Sequence, residues 1–220
     1  MQLKDKNQPG EKPGRKNKKR KNVLKKEAKK ITGGLSAPGK MPEGSYNLPA
    51  AACQTGAKLR KIPGTPCSEC YAFKNRYNFS NVKAALDRRL SSLDHPQWVE
   101  AMTVLVKKIK HFRWHDSGDL QGVAHLKKIY EVCNNTPGTM HWLPTQERQY
   151  LPLPGSTYPD NLTIRLSNSK NNTTPGKAWT HWSTVVDSGG DCPASKQGNE
   201  CGSCRRCWSR DVKHVTYPKH

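Results

Sequence analysis

The chain has 220 residues, of which 33% are aliphatic, aromatic or cysteine, a mean hydropathy of −0.90 and a formal net charge of +21 at pH 7. That length suits one domain with at most a small satellite. No run approaches the roughly 18 apolar residues of a membrane span, and the N-terminus lacks the hydrophobic stretch of a signal peptide. No membrane partner is expected, and a cytoplasmic location, where thiols stay reduced, follows.

Residues 1–30 carry 13 Lys and Arg against Asp5, Glu11 and Glu27, with few larger aliphatics. Such a segment cannot offset its ordering entropy and reads as a disordered basic arm, residues 1–32. Its charge points to a nucleic acid partner bound by counterion release, without sequence readout.

A Gly, Pro and Ser-rich lead-in follows, and then the first cysteine loop, 53–70. Helical periodicity appears over Asn81–Leu93. It returns from Asp94, a candidate cap, through Trp98, Met102, Leu105, Val106 and Ile109. "HFRWHD" reads as a strand, "GVAHLKKIYEVC" as a helix, "TMHWLP" as a strand, "TQERQYL" as a short helix and "NLTIRLS" as a strand. A further strand is expected within "TPGKAWTHWSTVV". Strands alternating with helices predict an α/β domain with a mainly parallel sheet, over residues 33–190.

In such sheets ligands sit at the carboxyl ends of the strands. Three predicted ends carry polar groups. The first holds His115, Asp116, Ser117 and Asp119, the second Thr145, Gln146, Glu147 and Arg148, and the third Arg165, Ser167 and Asn168. For any single group, ordinary loop or helix capping is the alternative.

The eight cysteines suggest metal or redox chemistry rather than disulfides. Cys192, Cys201, Cys204 and Cys207, in the Cys-rich segment 191–220, run as C-x8-C-x2-C-x2-C. The x2 rhythm of the last three is that of ferredoxin-type ligand runs, which favours a 4Fe–4S cluster over zinc. Upstream, Cys53, Cys67 and Cys70 supply three thiols, and a three-thiol site leaves one metal position open for chemistry. Cys133 lies on the apolar face of a predicted helix, where a buried free thiol is the commoner outcome.

The motif "CSECYA" resembles the end of the cysteine motif of radical S-adenosylmethionine enzymes, with thirteen residues between Cys53 and Cys67 in place of the usual three. More closely, "GKMPEGSYNLPAAAC", "CSECYA", "FRWHDSGDLQ", "HWLPTQE" and "CGSCRRCW" resemble the phage gene-product-88 family. The closer resemblance implies a bacteriophage origin, acting in the host cell cytoplasm, and carries no activity with it. The distant one implies a partial (β/α) barrel whose cluster loop follows the first strand. It also implies S-adenosylmethionine chelated to an iron held by Cys53, Cys67 and Cys70, an external electron donor, and a radical step initiated by reductive cleavage. His115, Asp116, Ser117, Asp119, Thr145 and Arg165 would bind the cofactor, and Asp116, Asp119 and Glu147 would be catalytic. Cys192, Cys201, Cys204 and Cys207 would hold a second cluster.

Two other readings stand beside this one. A non-enzymatic nucleic-acid-binding protein would use its metals only as staples and stack bases on Trp114, Trp142, Trp179, Trp182 or Trp208, although five tryptophans are more often core. A metal-dependent nuclease would hold a divalent ion with His115, Asp116, Asp119 and Glu147.

Overall fold

Tyr46 shows how the first elements lock together. In the computed structural model, which describes residues 23–219, its ring is fully buried. Its hydroxyl lies 2.7 Å from the Thr32 carbonyl and 3.1 Å from that of Arg89, and accepts from Trp98 Nε1 at 3.1 Å. Those partners belong to three helices, α1 (Lys25–Thr32), α3 (Ser80–Ser92) and α4 (Trp98–Val106), while Tyr46 ends the two-residue strand β1 (Ser45–Tyr46).

Helix α1 corrects the extent of the arm. Residues 1–22 lie outside the described residues, but Lys25–Thr32 are helical, ending where Gly33 takes φ +74°. Val23 and Ala28 pack on Ala101 and Leu105 of α4. The sequence stripe is narrow because the exposed face is lysine with Glu27, yet a few small apolar contacts suffice once a partner helix is present. Helix α4 begins at Trp98, past Asp94 and Pro96, and has no side-chain cap.

The sheet contains β1, β2 (His111–Trp114), β3 (Met140–Thr145), β4 (Leu162–Ser167), β5 (Trp182–Val186) and β6 (His214–Pro218). All neighbours are parallel, and the spatial order equals the chain order. That order is the one a barrel uses, but β1 and β6 are not paired, so the sheet is open. Only the first two crossovers carry α-helices. They are α2 (Gln54–Leu59), α3 and α4 between β1 and β2, then α5 (Val123–Asn134) between β2 and β3. The remaining crossovers are irregular, with short turns such as Arg148–Tyr150.

Alternation along each strand sorts the two faces. Phe112, Trp114, Leu143, Leu162 and Ile164 pack with Trp98, Met102 and Val106 of α4 and Leu126, Ile129 and Val132 of α5. Each of these buried side chains contributes about 1.5–3 kcal/mol. The opposite face presents Arg113, Trp142, Thr163 and Arg165. It is covered by the cysteine-bearing crossover between β5 and β6, with Trp142 meeting Met41 and Trp208. Trp208 Nε1 donates to the Phe112 carbonyl at 3.0 Å, stitching that crossover to the sheet.

Candidate metal centres at the carboxyl ends of the strands

The loop after β1 is fastened to the loop after β2. Asp116 N–H donates to Asn47 Oδ1 at 2.8 Å, Leu48 N–H to the Ser117 carbonyl at 2.9 Å, and Ser117 Oγ to the Leu48 carbonyl at 2.9 Å. Gly118 has φ +75°, and a Cβ there would stand 2.6 Å from Leu48 Cβ, so only glycine permits the approach. These contacts deliver residues 49–53 to the carboxyl end of the sheet, where Cys53 precedes α2.

Glu147, just past β3, meets the start of α2. It is fully buried, and its carboxylate accepts from the N–H groups of Gln54 (2.8 Å) and Thr55 (2.9 Å) and from Thr55 Oγ1 (2.7 Å). Asp119 accepts from Thr145 Oγ1 at 2.6 Å, from Gln146 N–H at 2.8 Å and from Leu120 N–H at 2.7 Å. Thr145 Oγ1 in turn accepts from Glu147 N–H at 2.9 Å. Asp119, Thr145 and Glu147 therefore form one buried network behind the first cysteine loop.

Cys53 and Cys67 sense that network and the neighbouring thiols. Burial pushes the Cys53 thiol well up, reinforced by Asp119, Cys67, Cys70 and Glu147. Burial, Cys70 and Asp119 push Cys67 up to about 12, with Arg60 opposing. Asp119 is itself pushed up to about 7 by burial, against the three hydrogen bonds it accepts. Thiols so placed keep their protons unless a cation stands among them, as metal ligation would provide. Gly56 adds a steric observation, since a Cβ there would lie 3.6 Å from Cys67 Sγ and 3.7 Å from Cys53 Sγ. The lack of a side chain leaves space between the two sulfurs.

The C-terminal set sits on the other face. Cys201 and Cys207 both pack against the Trp142–Trp208 patch, and Cys192 and Cys204 lie close enough to influence them electrostatically, Cys192 both thiols and Cys204 that of Cys201. Burial drives Cys207 up to about 11, while its hydrogen bond with Tyr217 and the charges of Arg165 and Arg113 pull it back. Arg165 Nε donates to the Cys207 carbonyl at 2.9 Å, and its Nη2 to the carbonyls of Arg206 and Ser209, each at 2.8 Å. Buried Arg165 Nη1, Arg113 Nε and Trp142 Nε1 have no hydrogen-bond partner among the described residues. Unpaired buried donors beside four thiols fit a sulfur-rich anionic group, whose sulfurs accept hydrogen bonds. Both cysteine sets thus have donor chemistry suited to iron–sulfur clusters. Among the described residues, no three His, Cys, Asp or Glu side chains stand as ligands to a single metal ion. In a cubane each thiolate binds a different iron, so the thiols need not converge on one point.

Several residues expected at the site are placed elsewhere. His115, at φ +58°, turns into the core, its ring 5.3 Å from that of His125 beneath α5. Ser117 is a loop clamp. Asp116 pairs with Arg113 at 2.7 Å and accepts from the Tyr77 hydroxyl, while its carbonyl accepts from Tyr71. Arg165 holds the second cysteine segment. His115, Asp116, Asp119 and Glu147 are therefore not gathered as ligands of one ion. Cys133 is fully buried in the core of the α5 face.

Arg113 was not singled out by sequence. Burial alone would lower its guanidinium, but Asp116, Tyr71, Tyr217 and Cys207 raise it above its ordinary value. It stacks over Trp142 at 4.4 Å, and its charge acts on Cys207 of the C-terminal set. Its place in "FRWHD", alternating with apolar residues, is the one sequence signal that could have marked it.

The fold and the two sites define a parallel α/β protein with a three-thiol loop after its first strand and a four-thiol crossover before its last. The family model described as gene product 88 matches residues 12–210, and the chain belongs to that family. No curated protein and no solved structure matches. Among the described residues no helix is long and apolar enough to cross a membrane.

Proposed function

We propose that this chain is an iron–sulfur protein of bacteriophage origin, of the radical S-adenosylmethionine type, acting on or near nucleic acid. One observation carries the reading. Three thiols stand at the carboxyl end of the first strand, backed by Asp119, Thr145 and Glu147 from the ends of the next two, in a parallel sheet whose order follows the chain. Cys53, Cys67 and Cys70 would hold a 4Fe–4S cluster with one iron free of protein ligands. That iron would supply one-electron reduction to bound S-adenosylmethionine.

The chain's own residues position and shield. Glu147 fixes the start of α2 and with it Cys53. Asp119 orients Thr145 and the Gln146 N–H. Arg60 brings positive charge to Cys67. The C-terminal set, with four thiols and a backbone clamped by Arg165, suits a closed cluster that carries electrons or staples the sheet. That clamp is also what favours the second reading, a metal-stapled nucleic-acid-binding protein without turnover.

Protein purified without oxygen tests this directly. About eight iron and eight sulfide per chain are expected for two cubanes, with formation of 5′-deoxyadenosine from S-adenosylmethionine under a strong reductant. Zinc without iron would overturn the radical reading and leave the stapled binder.

A further inference from the structure

The tryptophans considered for base stacking are taken up by the fold. Trp114, Trp142, Trp182 and Trp208 are buried, and Trp179 packs against the core. Among the described residues the exposed aromatics are Tyr71, Phe73 and Phe79, at 40%, 38% and 58% exposure. All three fall in the short segment directly after Cys70, made of the turns Tyr71–Phe73 and Asn75–Asn78 leading into α3. Large rings partly open to solvent within so short a stretch mark a contact surface.

Cations interleave with these rings. Residues 54–83 include Lys58, Arg60, Lys61, Lys74, Arg76 and Lys83, and a single carboxylate, Glu69. Glu69 is paired with Lys219 at 2.8 Å. The Arg60 guanidinium lies 3.8 Å from the centre of the Phe73 ring. The segment is also held in shape. Tyr71 and Tyr77 both donate to Asp116, their rings are 5.9 Å apart, and Asn78 Nδ2 donates to the Phe73 carbonyl at 3.0 Å. Asp116 is therefore a positioning residue for this rim.

We propose that Arg60, Phe73, Lys74, Arg76 and Phe79 form a docking surface for single-stranded nucleic acid, placed beside the three-thiol loop. Unpaired bases offer faces to the two phenylalanines, and the cations meet the phosphates. A duplex hides its base faces and could use only the charge. The surface deepens the proposed function by naming its substrate class, and rests on that reading only in taking the bound strand as substrate. Binding itself needs no assumption about the metal.

The test is fluorescence anisotropy on the full chain with a labelled oligothymidine of about 15 nucleotides, a length spanning one binding surface, alongside a duplex of equal length. Phe73→Leu with Phe79→Leu should weaken single-strand binding about tenfold or more while leaving the salt dependence unchanged. Phe73→Trp with Phe79→Trp should retain affinity. Lys74→Gln with Arg76→Gln should reduce the slope of log affinity against log salt by about 1.4.

The proposal is overturned if the leucine variant binds like the parent while Lys16→Gln, Lys18→Gln and Lys19→Gln together abolish binding, since the arm would then carry it all. Equal losses for the duplex in the leucine variant, or displacement of no oligonucleotide but capture of polyglutamate, would overturn it as well. Iron content and S-adenosylmethionine cleavage are read separately. Their failure removes the radical reading and leaves the docking surface standing.

Discussion

Replacing Glu147 by alanine removes a carboxylate that is 0% exposed and holds the start of α2. Four donors reach it, from Gln54 N–H, Thr55 N–H, Thr55 Oγ1 and Gln149 Nε2, at 2.8, 2.9, 2.7 and 2.7 Å. The two side-chain donors can turn to water, but the two backbone groups cannot follow without moving the helix. Hydrogen bonds to a charged group contribute about 1.5–3 kcal/mol each, so the backbone pair alone implies a loss of about 3–6 kcal/mol. For a domain of this size that lowers the melting temperature by roughly 6–24 °C. Cys53 immediately precedes α2, so the upstream metal should go while the C-terminal metal stays, and iron per chain should fall by about half. Glu147→Gln keeps an acceptor for both N–H groups and should lose about 1–2 kcal/mol with metal retained. Calorimetry and iron analysis on the three proteins decide the matter. Full iron and parental melting in the alanine variant, with activity alone lost, would refute the positioning role and return Glu147 to a catalytic one.

Three further outcomes are expected. Gly56→Ala should leave the circular dichroism spectrum intact, since alanine favours helix by about 1 kcal/mol. It should nevertheless weaken upstream metal retention, because its Cβ would crowd Cys53 Cβ at 3.0 Å; unchanged iron after a chelator challenge would contradict this. Arg165→Met should release the carbonyls of Arg206, Cys207 and Ser209, cost roughly 3 kcal/mol or more, and deplete metal from the C-terminal set only, as spectra of the Cys67→Ser and Cys204→Ser backgrounds would show.

The last outcome concerns pH. His141 is buried against Trp114 and bonded to Thr136 Oγ1 at 2.9 Å, and burial lowers it to about 3. A folded value below the unfolded one means its stabilising contribution is whole above about pH 6.5 and is lost as pH falls toward 3. Between pH 7 and 5 this amounts to about 2 kcal/mol. Unfolding free energies from urea titrations at the two pH values should differ less in His141→Asn than in the parent by about that amount.

Cysteine spacing, the apolar stripes of α3, α4 and α5, the aromatic strand patterns of β2 and β3 and the β-branched runs of β4 and β5 were all present in the sequence, because each is a local pattern. So was Cys133 in the core, from its place on an apolar helix face. Strand β1 was not legible, since two residues have no period. Strand β6 alternates Val215 and Tyr217 inward, but it is short and ends at Pro218, which an edge strand tolerates and a sequence reading discounts.

The polar groups at strand ends were legible as a set and not by role. Asp119, Thr145 and Glu147 back the three thiols, whereas His115, Ser117, Asp116 and Arg165 went to the core, a loop clamp, a tyrosine pair and the far face. A carboxylate beside a strand end looks the same in sequence whether it faces a ligand or a neighbouring N–H. Which one it meets is set by the loop from another strand, many residues away. The same holds for the aromatics, since the sheet consumed the tryptophans as core. Only the packed structure left Phe79 exposed and Tyr71 and Phe73 partly so.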